Sequence, residues 1–368
     1  LKGKCDASPI QTKTIKKQTY PRLHNYHPSV FRKYSITSTK PHLLRLEYHI
    51  CIILVFFVFL GTNSSVMAAE KDESVAITKH LSLGIKVKRL FDSHTTYEFG
   101  NPFSPFQAPL SRLEFPLNVW WGGIELRFST SRFSIGGEVL RNALGDSDGR
   151  MRDTDWDDDT KPALETIYSE SRCRMEPSYM VRIDADLEVS DWLGLPSWLS
   201  LRPVIGFRYQ NFHMVTHDGV EYTWDGSSPT YILTGNTLRF KQTYWHYFGG
   251  LRLTVDAAKY AGKSDLLFFM QFDWAYVEGS NEDNHLLRPG KRFTYENTFG
   301  YAWHTSVGVK KGISKNLFLG LEAEHLRIST TGSHRLVNEP MGTDFGFSHG
   351  VKVWSEQTSI SLKLEYLL

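Results

Sequence analysis

The chain has 368 residues, 42 Lys and Arg against 40 Asp and Glu, and a formal charge of +2, which leaves no electrostatic footprint for nucleic acid. Its mean hydropathy of −0.33 is not that of a helical membrane protein, and its one continuous apolar run, residues 50–60, is shorter than the ~20 residues a spanning helix needs. Cys5 and Cys51 lie upstream of the expected processing point, so Cys173 stands alone and no intramolecular disulfide is expected in the mature chain.

Residues 1–45 are rich in Lys, Arg, Ser, Thr and Pro and show no apolar periodicity. They read as a non-native or unstructured leader without a function. The first methionine is Met67, beyond the apolar run, so the expected start is a non-methionine codon near Leu43 or Leu44. Residues 46–69 read as a secretory signal peptide. Arg45 supplies a basic flank, the apolar run is the hydrophobic region, and cleavage is expected after Ala68 or Ala69. A single-pass anchor is the competing reading.

Residues 70–368 carry repeated period-two patterning. Leu81, Leu83, Ile85 and Val87 alternate with polar residues, and so do Phe268, Met270, Phe272 and Trp274. At the far end Ile360, Leu362, Leu364 and Tyr366 take one face, and Ser361, Lys363 and Glu365 the other. Strands with one apolar and one charged face suit a closed barrel with lipid outside and a polar lumen. The pattern predicts an all-β transmembrane antiparallel barrel of about ten strands. They fall near 79–92, 111–129, 132–144, 174–190, 199–214, 239–257, 264–279, 292–312, 315–328 and 352–368. The apolar residues of 111–129 change from odd to even numbers around Gly122-Gly123, which predicts a β-bulge there. Long connections at 93–110, 145–173, 215–238, 280–291 and 329–351 alternate with short ones, giving long extracellular loops and short periplasmic turns. A soluble β-sandwich explains the alternation but not the long-short order of the connections.

Two acidic segments lie where strand pattern meets long connection. Met151-Arg-Asp-Thr-Asp-Trp-Asp-Asp-Asp159 holds Asp153 and Asp155, and Glu278 to Lys291 holds Asp283 and His285. Each is an i, i+2 pair, so on extended chain both side chains point the same way. Asp283 can orient the His285 imidazole and stabilise its charged form, making a general base near neutral pH. Two close aspartates repel when both ionised, so one of them holds its proton more firmly. Such a pair can hold a water or an oxyanion. Two blander readings stand beside this one. One is a solvated acidic loop. The other is a calcium loop, although Asp158 stands where the turn needs Gly and Leu164 where the bidentate Glu belongs.

The segment Met151 to Asp158 resembles the acidic motif of the omptins, outer-membrane endopeptidases of aspartic type. Val277 to His285, followed by Pro289-Gly-Lys-Arg-Phe-Thr-Tyr295, resembles their Asp-x-His segment and the strand after it. Glu170-Ser171-Arg172, Tyr209-Gln210 and Lys241-Gln242 match in order, and the resemblance covers about residues 80–368. It implies an outer-membrane peptide hydrolase of a Gram-negative cell, with its site facing outward. Asp283 and His285 would activate the water, and Asp153 and Asp155 would hold it. The resemblance calls for no metal, no covalent intermediate and no acyl role for Ser171. The implied partners are exposed peptides or unstructured protein segments and outer-membrane lipid, with a monomer expected.

The departures from the family pattern concern substrate and lipid. Omptins prefer basic residues on both sides of the cut bond and bind them with acidic side chains. Asn281 and Ser169 stand where two of those aspartates would be, and Asp92, Thr96 and Glu98 compete for the first-strand glutamate. Losing a carboxylate partner for Arg removes a bond of about 1.5–3 kcal/mol, so a weakened or altered dibasic preference is expected. Glu282 and Glu170 are candidates to compensate, and with Ser169, Ser171 and Asn281 they form the candidate pocket set. Lipopolysaccharide is the implied activity requirement. Tyr209 matches a lipid contact, whereas Asn211, His213, Thr243 and Gly300 stand where charged contacts would be, which predicts a weaker requirement. The chain ends Tyr366-Leu-Leu368 rather than on an aromatic residue. The other readings are a non-enzymatic barrel serving as adhesin or binding protein and a lipid-modifying barrel hydrolase.

Overall fold

A computed structural model describes residues 80–103, 106–156, 158, 160–223, 231–262, 266–287, 290 and 292–368. The expected leader (1–45) and signal peptide (46–69) lie outside the described residues, as do Asp157, Asp159, Pro289 and Lys291 of the two motifs.

Thirteen strand segments form one antiparallel sheet. They are β1 (His80–Asn101), β2 (Gln107–Pro116), β3 (Trp120–Ser129), β4 (Phe133–Asn142), β5 (Gly145–Asp155), β6 (Ile167–Met175) and β7 (Tyr179–Leu187), then β8 (Leu199–Thr223), β9 (Tyr231–Asp256), β10 (Leu266–His285), β11 (Arg292–Gly312), β12 (Leu317–Asn338) and β13 (Thr343–Leu367). β13 pairs back onto β1, from Ser82 opposite Leu367 to Phe99 opposite Val351, so the sheet closes and leaves no edge. β2 and β3 lie end to end along β1, β5 and β4 continue beside them, and β6 and β7 share β8, which makes a ring of ten strands.

The strands are longer than a bilayer needs. A spanning β-strand takes about 9–11 residues, whereas β8 and β9 have 25 and 26. The apolar outer surface is concentrated in the lower part of the ring. Ile85, Ile124, Ile183, Leu251, Phe272, Leu321 and Leu362 are exposed there, each alternating with a residue that faces the lumen. Trp120, Tyr179, Tyr209, Trp245, Tyr276 and Phe299 mark its upper margin, as interfacial aromatics do in membrane barrels. The lumen behind this belt is ionic. Lys86 Nζ reaches Glu138 at 2.8 Å and Glu322 at 3.1 Å, Lys88 reaches Glu324 at 2.8 Å, and Arg208 grips both oxygens of Asp273 at 2.7 Å. Buried charges persist because each is paired.

Above the margin the sense inverts. Tyr97, Leu113, Phe115, Phe212, Met214, Phe240 and Tyr244 point inward and pack as an apolar core. This inversion corrects two sequence expectations. The predicted long connections at 93–110, 145–173, 215–238, 280–291 and 329–351 are largely strand, because the chain keeps its period while its outward face turns polar. The bulge predicted at Gly122-Gly123 is absent, since β3 keeps register with β1 from Trp120 to Ser129. There the apolar residues switch faces and the chain does not. Gly123 has a different reason to be glycine: a Cβ would fall 1.9 Å from the Val139 carbonyl oxygen. The bulge lies instead on β1, where register shifts between Phe91 and His94 and Asp92 takes a φ of 48°, a conformation Asp tolerates better than most residues. The expected C-terminal strand is fully paired, and the Leu368 amide donates to the Leu81 carbonyl at 2.8 Å.

Candidate active site

β5 brings Met151, Asp153 and Asp155 to one face. Asp153 lies opposite Leu113 of β2 and Ser169 of β6, and Asp155 opposite Ser111 and Ile167. Asp155 also anchors the turn above it, its carbonyl accepting from the Thr166 amide at 2.8 Å. Asp158 is committed to its own turn, its Oδ1 accepting from the Thr160 amide at 3.0 Å. The two candidate aspartates therefore belong to a strand and not to a calcium-type loop.

On the other wall β10 ends with Asn281, Asp283 and His285 on one face. Asp283 lies between Phe240 of β9 and Thr294 of β11 and is fully buried. His285 Nε2 stands 3.2 Å from Asp283 Oδ2, and the imidazole is partly open. Neither Asp283 oxygen accepts a hydrogen bond among the described residues. The walls meet through aromatic rings. Phe240, the register partner of Asp283, stacks on Phe115 at 4.3 Å and 6°. Phe115 is two residues along β2 from Leu113, the register partner of Asp153. A stack worth about 0.5–1.5 kcal/mol beyond burial thus joins β2 to β9 beneath the two acidic strand ends. Asp155 and His285 stand at the upper ends of β5 and β10, clear of the apolar belt.

Parity decides the remaining candidates. Ser169, Ser171 and Asn281 face inward and are buried, and Ser171 lies against Gly219, where a Cβ would come within 2.1 Å of its Oγ. Glu170 and Glu282 face away from the lumen. Glu170 accepts from the Tyr168 hydroxyl at 2.5 Å, with Arg152 3.8 Å away, and Glu282 lies exposed between the inward Asn281 and Asp283. Of the first-strand candidates, Asp92 is in the bulge and Thr96 faces outward. Glu98 lies on the outward face, buried and paired with Arg112 at 2.6 Å. Tyr209 sits at the upper margin of the belt with its ring 6.1 Å from Trp245. Buried Cys173 is a free thiol that burial pushes up to about 12, so it is inert.

One inward carboxylate escaped the sequence reading. Glu296 of β11 lies opposite Asn281 and, on its other side, opposite His334 of β12. It is fully buried, and His334 Nδ1 donates to its Oε1 at 2.9 Å. Burial raises its affinity for a proton and nearby Asp283 adds to this, while His334 opposes it. Tyr97 joins the cluster, its hydroxyl 3.3 Å from the same nitrogen, and burial with the two carboxylates holds that phenol well above its ordinary range. The available signal was parity: Thr294, Glu296 and Thr298 share one face of the predicted strand at 292–312.

A barrel with an apolar outer belt below and a buried aspartate–imidazole pair above is a membrane β-barrel with a candidate site at its mouth. The Omptin family model matches residues 115–366, and the chain belongs to the omptin family. Among solved structures it is similar to the outer membrane protease OmpT of Escherichia coli, at 15% identity and a TM-score of 0.69, over 80% of this chain and 99% of that one. It also aligns with the translocator domain of the autotransporter NalP of Neisseria meningitidis, at 7% identity and a TM-score of 0.30, over 87% of this chain and 96% of that one. No curated protein sequence matches.

Proposed function

We propose that this barrel is an outer-membrane endopeptidase whose groove opens to the cell exterior and whose nucleophile is a water molecule. The observation that carries the reading is the 3.2 Å contact between His285 and a fully buried Asp283, set at the open end of an omptin-family barrel. Asp283 holds the imidazole and stabilises the imidazolium. His285 removes a proton from the water as the water attacks the peptide carbonyl, then returns it to the leaving amine. Asp153 and Asp155, from the opposite wall, share a proton, hold the water and hydrogen-bond the tetrahedral oxyanion. Family membership and the fold shared with OmpT, itself a protease, support this assignment.

Substrates are extended peptides or unstructured protein segments that lie along the groove. Glu170 and Glu282 face the outer surface, so neither replaces the acids absent at Ser169 and Asn281. A weakened dibasic preference follows. Lipopolysaccharide is the proposed lipid partner, with a reduced requirement. Titrating rough lipopolysaccharide into refolded protein tests that point, and strict dependence would sink it. The function itself is tested by exposing refolded protein to an unbiased peptide library beside Asp283→Ala and His285→Ala. Cleavage by the parent should fall by at least ~10²-fold in each variant, the loss expected for a missing general base. No cleavage by folded parent, with or without lipopolysaccharide, would favour a binding barrel.

A further inference from the structure

The floor behind Asp283 holds more ionisable chemistry than a dyad needs. One level below Asp283, four inward side chains form a row across four strands: Gln242, Asn281, Glu296 and His334. Gln242 Nε2, Asn281 Nδ2 and Glu296 Oε2 are buried and without hydrogen-bond partners among the described residues, as are both oxygens of Asp283. The packing excludes solvent from these atoms, so the groups answer to one another. His334 is clamped between the rings of Phe99 at 4.6 Å and Phe347 at 4.9 Å, both stacked on its faces. That clamp fixes the imidazole so that Nδ1 meets Glu296 at 2.9 Å.

Building on the proposed peptidase chemistry, we propose that Glu296, held by His334, is a positioning residue for the Asp283–His285 pair: a second carboxylate behind Asp283 that strengthens His285 as a base. The groups facing this cluster are Tyr97 from β1, Asp283 and His285 from β10, Arg292 and Glu296 from β11, and His334 from β12. Charge on any one of them acts on the others across the buried cluster. The sign follows from charge. Ionised Glu296 adds negative charge beside Asp283, which favours the imidazolium of His285 and moves its loss of a proton to higher pH. Burial and Asp283 both make Glu296 slow to ionise, so the effect grows as pH rises. Replacement by a neutral isostere removes it.

The experiment is the pH profile of kcat/KM, using a peptide the parent cleaves, for parent, Glu296→Gln, Glu296→Asp and His334→Gln. In Glu296→Gln the acid limb should move down by about one pH unit, the scale of losing a nearby opposite charge. The plateau should stay within a few-fold of the parent. Glu296→Asp should restore the limb toward the parent, and His334→Gln should move it in the same direction as Glu296→Gln but less. An unmoved limb in folded Glu296→Gln overturns the proposal, and so does loss of cleavage at every pH. NMR titration of the His285 and His334 imidazoles in parent and Glu296→Asp protein covers failure of Glu296→Gln to fold. Interdependent titrations support the link and independent ones overturn it. Because that readout needs no turnover, a parent that cleaves nothing would sink the peptidase reading while leaving the electrostatic link to be decided.

Discussion

On β1, below Asp92, Leu83, Ile85 and Val87 face lipid and Lys86 and Lys88 face the lumen; above it, Thr95 and Tyr97 face the lumen and Glu98, on the outward face, is ion-paired with Arg112. The same period serves two solvents. In the lower half the outside must be apolar, so the charges go inside and neutralise each other in pairs. In the upper half water returns to the outside, and the lumen becomes an aromatic core that supports the acidic strand ends. The one-residue bulge at Asp92-Ser93 is where β1 changes from one rule to the other. The comparison teaches that alternation marks a strand, while the face that is apolar marks its surroundings.

Several substitutions would break this contrast. In the lower half Arg208→Ala strands Asp273, which Arg208 grips at 2.7 Å through both oxygens, and should cost about 3–5 kcal/mol in urea unfolding from lipid vesicles. Phe240→Ala in the upper half should cost a similar 3–5 kcal/mol or so by leaving a cavity beside Phe115. It should also reduce cleavage by loosening the floor, whereas Arg208→Ala should leave cleavage by the folded fraction unchanged. Ile85→Lys places a charge on the lipid face and should cost about 2–4 kcal/mol; a cost near zero would contradict the placement of the belt. The smallest effect is expected for Ser171→Ala, within about threefold in kcat; a loss like that of the dyad variants would make the serine a nucleophile.

The lower barrel was legible because lipid demands a regular apolar stripe, and Ile360, Leu362 and Leu364 or Phe268, Met270 and Phe272 supply one. The upper strands read as loops because their outward residues are polar and their apolar residues, such as Phe115 and Phe240, sit where a lumen was expected to be charged. Asp153, Asp155, Asp283 and His285 were legible as same-face pairs at strand ends, a local property. Glu296 was not, because its importance comes from register with Asn281 and His334 on neighbouring strands, and one sequence does not display pairing. Glu170 and Glu282 illustrate the same limit. Each adjoins a site residue in sequence, and for that reason each points the opposite way on a strand.

Whether the two walls act as one site is tested most directly by a double-mutant cycle on cleavage, with Asp155→Asn, His285→Gln and the pair. Groups that work as a unit give non-additive losses. The account predicts that each single variant loses at least ~10² in kcat, the scale of one acid–base group, and that the double variant is little worse than the poorer single one. Losses that multiply in the double variant would mean that Asp155 and His285 act independently, and the shared groove would not be the seat of the chemistry.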